Sequence, residues 1–172
     1  GVVHCAGIDS GDAPLAELSV DQLGELLRAK MVSALNLHEL TGDLDAFVLF
    51  SSGAAAWGSG GQPAYSTANA YLDGLAQFRR GQGLVATSVQ WGAWAEAGMA
   101  TDPEAYDQLR RHGVLPMDPE LALTALVQAV SDGETVLTVT NTDWARFAPG
   151  FTASRPSPLF SSIPEVVAAL SA

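Results

Sequence analysis

Ala46-Phe47-Val48-Leu49-Phe50 is a continuous apolar run of strand length, and Ser51-Ser52-Gly53 follows it directly. A run with no alternating polar residues is typical of a strand in a parallel sheet that is covered on both faces. We therefore predict a buried parallel strand at 46–50, with small polar residues at its carboxyl end.

Strand-like and helix-like segments alternate on either side of this run. Before it lie an apolar strand at 1–6 and a helix that begins at the Ser19 and Gln22 capping box and ends near Gly42. The later segments are, in order, a small-residue loop at 54–61, helix 63–80, strand 84–90, helix 103–112, helix 119–131 and strand 135–140. This order predicts a parallel α/β sheet with crossover helices, whose ligand lies at the carboxyl ends of the strands.

The composition favours one soluble domain. The 172 residues are 48% hydrophobic and carry 8 basic against 19 acidic side chains, a net charge of −11. That charge repels phosphate backbones and anionic lipid surfaces, so we expect no nucleic-acid partner and no membrane association. The sequence has neither an apolar run of the roughly 20 residues needed to cross a bilayer nor an amino-terminal signal segment, and a cytoplasmic protein is the simplest inference.

Two segments have simple structural predictions. The proline-rich tail at 148–172 is predicted to be an extended exit segment or linker that follows a main body at 1–147. The single cysteine, Cys5, cannot form an internal disulfide, and its apolar surroundings predict a buried, inert thiol.

Four polar side chains form the candidate catalytic set. Tyr65 and Asn69 are four residues apart on a predicted helix and therefore share one face. Ser52 follows a buried strand, where α/β sheets place ligand-binding groups, and Lys30 lies on the preceding helix. These groups suit proton delivery to a carbonyl oxygen. Tyr65 would be the general acid, Ser52 a hydrogen-bond donor to that oxygen, and Asn69 would hold a water or a side chain. Lys30 would be the ammonium that favours the phenolate form.

Each residue taken singly also has an ordinary structural explanation. A tyrosine on a helix often packs, a serine after a strand often forms a turn, and a lysine is usually solvated. The catalytic hypothesis therefore depends on their joint placement. The histidines do not contribute to this catalytic hypothesis. His4 is predicted to pack within its strand, and His38 and His112 to lie on helix surfaces. The sequence shows no metal-ligand cluster that would include them.

Four segments together carry a family resemblance: VVHCAG at 2–7, FVLFSS at 47–52, WGSGGQPAYSTANAYLD at 57–73 and WGAW at 91–94. They resemble the ketoreductase domains of type I modular polyketide synthases, which belong to the extended short-chain dehydrogenase/reductase group. The resemblance runs from Gly1 to about Leu159. A generic reductase of the group carries lysine four residues after the tyrosine. Here Asn69 holds that position and Lys30 lies earlier, an exchange typical of the synthase ketoreductases.

The resemblance implies an activity and a set of partners. The activity is NADPH-dependent reduction of a β-ketoacyl thioester, held on an acyl carrier protein, to the β-hydroxyacyl thioester. The fold would be a Rossmann-like parallel sheet with flanking helices, lacking the first three strands and the glycine-rich phosphate turn of the complete domain. The missing amino-terminal half is therefore a further expected partner, and without it the first strand would be an uncovered sheet edge.

The resemblance also assigns residues. Tyr65, Ser52, Lys30 and Asn69 fall on the catalytic positions. The cofactor positions, some shared with the catalytic set, are Ala6, Gly7, Lys30, Tyr65, Trp91 and Gly92. Trp57, eight residues before Tyr65, marks the A-type that gives L-configured alcohols, and Gln62 stands where a histidine would favour an epimerised α-methyl group. Together with Met99 in the segment over the substrate, they predict an A1-type enzyme.

Two other classes of function stay open at this point. One is a folded but non-catalytic docking remnant of a synthase. The other is a free-standing short-chain reductase that acts on a small ketone or sugar. The complete set of four candidate catalytic residues argues against the first, and the Asn69 and Lys30 exchange argues against the second.

Overall fold

The computed structural model of this chain describes residues 1–7, 13–95 and 103–171, which form two compact units. The first unit comprises Gly1–Trp91 and Leu123–Val139, and the second comprises Gly92–Ala122 and Thr140–Ala172. Met99, predicted to lie in the segment over the substrate, is outside the described residues. Across the described ranges, no helix is both long and apolar enough to cross a lipid bilayer.

A four-stranded parallel sheet organises the first unit. Its strands are β1 (Val2–His4), β2 (Phe47–Ser52), β3 (Thr87–Trp91) and β5 (Val136–Val139), and this is also their order across the sheet. Val3 pairs with Val48 across β1 and β2, and Ser52 pairs with Trp91 across β2 and β3. The predicted parallel sheet is thus confirmed, with β1 at an edge.

The helices of this unit are α1 (Val20–Leu27), a π-helical turn (Arg28–Val32), α2 (Ser33–Leu40), α3 (Ala54–Trp57) and α4 (Pro63–Gly81). The capping box predicted at Ser19 is present, because its hydroxyl accepts from the Gln22 N–H and the Gln22 side chain accepts from the Ser19 N–H. Apolar residues of α2, β2 and α4 form the core, with Phe47, Leu49 and Leu72 almost fully buried. Burial of this core is the main favourable contribution to the stability of the unit.

Three predictions for this unit need correction. The strand predicted at 84–90 begins only at Thr87 and includes Trp91, because Arg79 and Arg80 of α4 donate hydrogen bonds to the Val85 and Ala86 carbonyls before the strand. The loop predicted at 54–61 contains α3. The Cys5 thiol is exposed, since it lies just beyond the end of edge strand β1.

His38, predicted to lie on a helix surface, instead contacts a buried arginine. Arg79 is completely buried, its guanidinium stacks 3.9 Å from the Phe47 ring centroid, and its Nη1 lies 2.9 Å from Nδ1 of His38. His38 is therefore half-buried and hydrogen-bonded. His4 is buried and its Nε2 lies 2.7 Å from the Ser33 hydroxyl, which confirms a packed strand histidine.

The second unit is built on a two-stranded antiparallel sheet of β4 (Val114–Leu115) and β6 (Asn141–Thr142). Its helices are α5 (Pro103–Arg111), α7 (Trp144–Thr152) and α8 (Pro164–Ser171), while α6 (Pro119–Ser131) begins in this unit. The tail predicted as extended therefore contains the end of α7 and the whole of α8, with a non-helical segment at 153–163 between them. Aromatic packing of Trp144, Phe147, Phe151 and Phe160 supplies the apolar contacts that an extended segment lacks.

Candidate active site

The carboxyl ends of β1, β2 and β3 bring predicted site residues to one edge of the first unit. Ser52 ends β2 opposite Trp91 of β3, and the Gly53 N–H donates to the Trp91 carbonyl at 2.9 Å. Gly7 follows β1, and it and Ala6 are exposed. This is the edge where parallel α/β sheets bind ligands.

Lys30 lies on the π-helical turn and is buried, with 7% of its surface exposed. Its Nζ donates to the Phe50 carbonyl of β2 at 3.0 Å, and a Cβ at Gly7 would lie 3.3 Å from its Cε. The ammonium therefore sits between the ends of β1 and β2. No local sequence pattern indicates the π turn, a geometry that occurs often at functional sites.

Burial lowers the pKa of Lys30 to about 8, and the nearby Cys5 and Asp73 side chains oppose this shift. Burial lowers the pKa of His4, and the Lys30 ammonium lowers it further. Cys5 is exposed as a residue, but partial burial of its thiol still raises its pKa, against the effect of Lys30. Lys30 thus interacts electrostatically with the other titratable groups near this end of the sheet, His4, Cys5 and Asp73.

Tyr65 and Asn69 lie on one face of α4, as predicted, and α4 packs against β2, α3 and the π turn. Asn69 is completely buried. Its side-chain Nδ2 donates to the main-chain carbonyl of Tyr65 at 2.8 Å, and its main-chain carbonyl accepts from the Ser51 hydroxyl at 3.2 Å. Its Oδ1 has no hydrogen-bond partner among the described residues. A buried acceptor of this kind is suited to a bound water or ligand group.

Ser52 is half-buried, and its Oγ accepts from the Ala54 N–H at 3.2 Å. This contact orients the hydroxyl oxygen and leaves its proton available to an acceptor. Tyr65 is also half-buried, and within the described part of the chain no hydrogen bond joins its side chain to Lys30 or Ser52. The structure therefore gathers the four residues on adjacent elements, and the one direct hydrogen bond among them in the described part of the chain joins Asn69 to the Tyr65 main chain.

The residues predicted for substrate and cofactor contacts lie on α3, the start of α4 and the end of β3. Trp57 is the last residue of α3. Gln62 is the N-cap residue of α4, and its side chain accepts from the Ser59 hydroxyl at 2.9 Å. Trp91 packs against Phe50, with ring centroids 5.3 Å apart. Gly92 lies in the second unit, where a Cβ would approach the Thr140 hydroxyl to 2.6 Å.

Sequence reasoning missed Asp73, a buried carboxylate on α4. Its Oδ1 accepts from the Ser88 hydroxyl at 2.7 Å and its Oδ2 from the Gln90 amide at 2.8 Å, while Thr138 donates to the Gln90 Oε1. The spacing in the sequence indicates this residue, because Tyr65, Asn69 and Asp73 are four residues apart and therefore lie along the same side of a helix.

Lys30 and Gly7 suit part of a nucleotide cofactor, and the described residues include no glycine-rich phosphate-binding turn. Lys30 has three N–H donors, and the described residues supply an acceptor for one of them, the Phe50 carbonyl. The exposed Gly7 lies beside it and presents no side chain to a ligand. A cation and hydroxyl-binding groups lie at the carboxyl ends of the parallel strands. The ribose of a bound nucleotide usually lies at these strand ends.

Comparison with known proteins identifies the family. A model described as the KR domain matches residues 1–96. The polyketide synthase GfsA of Streptomyces halstedii is 52% identical over 167 residues, which make up 95% of this chain and 2% of that protein. The erythronolide synthase EryA3 of Saccharopolyspora erythraea is 49% identical over 162 residues, 94% of this chain and 5% of that protein. This chain belongs to the KR domain family.

A solved structure described as an A1-type ketoreductase gives a TM-score of 0.94 at 58% identity and covers 98% of this chain. The predicted Rossmann-like fold and the resemblance to synthase ketoreductases are therefore confirmed. The chain spans 36% of that solved chain and a much smaller share of the two synthases.

Proposed function

We propose that this chain is the catalytic part of an NADPH-dependent β-ketoacyl reductase of polyketide biosynthesis. Its substrate is a β-ketoacyl thioester on an acyl carrier protein, and its product is the β-hydroxyacyl thioester. The observation that carries the proposal is the buried Lys30 ammonium at the ends of β1 and β2, beside the elements that hold Ser52, Tyr65 and Asn69. Membership of the KR domain family supports it.

Side chains of this protein supply the proton that the carbonyl oxygen receives. Bound NADPH would supply the hydride to the carbonyl carbon. Ser52 donates its free hydroxyl proton in a hydrogen bond to the carbonyl oxygen, and Tyr65 transfers a proton to that oxygen as negative charge develops there. Lys30 stabilises the phenolate that remains, and Asn69 offers its Oδ1 to a water that returns a proton to Tyr65.

The cofactor would be held by Ala6 and Gly7 after β1, by Lys30 and Tyr65, and by Trp91 with the adjacent Gly92. The absence of a Cβ at Gly7 supports this assignment, because it lets the ligand and Lys30 approach the same backbone. The phosphate contacts belong to an amino-terminal half of the domain, which we propose as a partner of these residues.

The stereochemical part of the proposal is an A1-type reduction to an L-configured alcohol without an epimerised α-methyl group. Trp57 on α3, Gln62 at the start of α4 and Met99 would line the substrate. The similarity to a structure described as an A1-type ketoreductase supports this assignment.

The test is oxidation of NADPH, followed at its near-ultraviolet absorbance, with a simple β-keto thioester. The 172-residue chain is assayed alone and joined to the amino-terminal half of a ketoreductase domain. We expect oxidation in the joined form, because that form has both the phosphate contacts and the proton-transfer residues. A joined protein that folds and binds NADPH but reduces nothing would instead favour the non-catalytic docking role.

Tyr65→Phe removes the proposed general acid with little change of shape. We expect it to lower the reduction rate on the order of 100-fold or more while NADPH binding stays nearly unchanged. Tyr71→Phe, on the same helix but packed against the core, is the matched control and should keep the parent rate. Equal rates for Tyr65→Phe and the parent would remove Tyr65 from its role.

A further inference from the structure

Gly53 stands between Ser52 and α3, and its backbone conformation does not require glycine. Its φ of −52° and ψ of −25° are ordinary right-handed helical values that any residue adopts. Yet a Cβ at this position would lie 2.1 Å from Cζ2 and 2.2 Å from Cη2 of Trp57. The indole occupies the space that any other side chain at position 53 would fill.

Helix geometry explains this contact. Trp57 is four residues after Gly53, and long side chains on a helix point back towards its amino-terminal end. The six-membered ring of the indole therefore lies over Gly53. The contact is possible only because position 53 has no side chain.

The Gly53 backbone has no freedom to move away from the ring. Its N–H donates to the Trp91 carbonyl at 2.9 Å, and its carbonyl accepts from the Ala56 and Trp57 N–H groups at 2.9 and 3.1 Å. The neighbouring Ser52 hydroxyl is held by the Ala54 N–H. A methyl group at position 53 would therefore displace the indole rather than the backbone.

We propose that Gly53, the residue after Ser52, is a specificity-determining residue, which fixes the position of the Trp57 indole over its own backbone and thereby the face on which the ketone receives hydride. This rests on the proposed function, in which Trp57 controls the configuration of the alcohol. Gly53 acts only through Trp57, so it is a positioning residue and not a catalytic one.

The first experiment measures the ratio of L- to D-configured alcohol formed by the chain joined to an amino-terminal half. We expect Gly53→Ala to lower this ratio on the order of tenfold, because even one added methyl group in a packed site forces a side chain out of place. Gly74→Ala is the matched control. Gly74 lies on α4, and a Cβ there would meet nothing within 4 Å beyond its chain neighbours and the backbone of its own helix, so the ratio of this variant should equal that of the parent.

A double-variant cycle tests whether the effect passes through Trp57. Trp57→Ala should itself lower the ratio, and adding Gly53→Ala should change it no further. A stable Gly53→Ala protein with the parent ratio would overturn the proposal. So would an equal effect of Gly53→Ala with and without Trp57.

Nuclear magnetic resonance gives a readout that needs no activity. The indole ring should shift the Gly53 Hα signals of the parent, and Trp57→Leu should abolish that shift. An unshifted Gly53 in the parent would overturn the positioning role. If instead the parent makes no alcohol, the proposed function fails, and if Trp57→Ala keeps the parent ratio, the stereochemical part of it fails. In either case the specificity role fails with it, whatever the resonance shift shows about the contact.

Discussion

At the scale of single residues, Lys30 is the most constrained group of the site. A buried ammonium loses hydration, and one hydrogen bond to the Phe50 carbonyl replaces only part of it. The protein therefore holds its lysine at a cost in stability. With a pKa of about 8, a small fraction of the Lys30 side chain is uncharged near neutral pH.

This cost has a definite pH dependence. The pKa of Lys30 is about 8 in the folded protein and near 10.5 when unfolded, so between these values the unfolded chain binds more protons. The free energy of unfolding should therefore rise with pH in that window, by up to about 3 kcal/mol from this residue. Below pH 8 its contribution is constant.

Lys30→Met isolates the effect. The free energy of unfolding is measured by urea denaturation from pH 7 to 10. Over this range it should rise less with pH, or fall more, in the variant than in the parent. The raised pKa values of Cys5 and Tyr71 act in the opposite direction. The Tyr71 effect is the same in both proteins, whereas the Cys5 effect is larger in the variant, where the ammonium no longer opposes it, and this adds to the expected difference. Parallel curves for the two proteins would show that Lys30 titrates normally.

At the scale of elements, α4 joins the site to the sheet. Asp73 lies two turns after Tyr65 and is fixed to β3 by Ser88 and Gln90. Phe50, whose carbonyl binds Lys30, pairs with Val89 between these two residues. The carboxylate and the ammonium are thus anchored at neighbouring positions of adjacent strands, and the Asp73 charge favours the protonated form of Lys30.

Asp73→Asn removes the carboxylate charge and can keep the hydrogen bonds that join this position to Ser88, Gln90 and Thr138. The Ser88 bond persists, and the Gln90 amide can turn so that its oxygen accepts from the new amide and its nitrogen donates to Thr138. With Asp73 neutral, the pKa of Lys30 falls. The alkaline limb of the kcat/KM profile should then move to lower pH, on the order of half a unit.

The control for this prediction is Asp132→Asn, which removes an exposed carboxylate of the same unit. It should leave the profile in place. An unshifted alkaline limb in a folded Asp73→Asn protein would mean that the carboxylate only supports α4.

At the scale of the whole molecule, the exposed edge of the sheet sets its behaviour in solution. Strand β1 pairs with β2 alone in the described part of the chain, and Val3 on it is 59% exposed. Unpaired edge strands with apolar side chains promote association between chains. We expect the 172-residue chain to associate with increasing concentration in sedimentation velocity experiments.

Val3→Lys should reduce this association, because a charge on an edge strand opposes pairing with a second copy. Val167→Lys, which alters a similarly exposed valine on α8, should not. Joining an amino-terminal half that covers β1 should reduce association even without a substitution. If the Val3→Lys protein associates as strongly as the parent, another surface is responsible.

Local sequence patterns determined much of this protein. The apolar runs of β1 and β2, the capping box at Ser19 and the proline at the start of α4 each encode an element through short-range physics, and their alternation encodes the parallel sheet. The spacing of Tyr65 and Asn69 likewise encodes a shared helix face, and the motifs around them encode the family.

Only the tertiary structure decided the rest, because it depends on contacts between distant residues. The late start of β3 follows from Arg79 and Arg80, and aromatic packing joins α7 to Phe160 in the tail. The π turn places Lys30 against the Phe50 carbonyl, Asp73 reaches Ser88 and Gln90 on another strand, and the Trp57 indole fills the space above Gly53. Burial, opposing charges and close packing are properties of the assembled fold, and no local pattern records them.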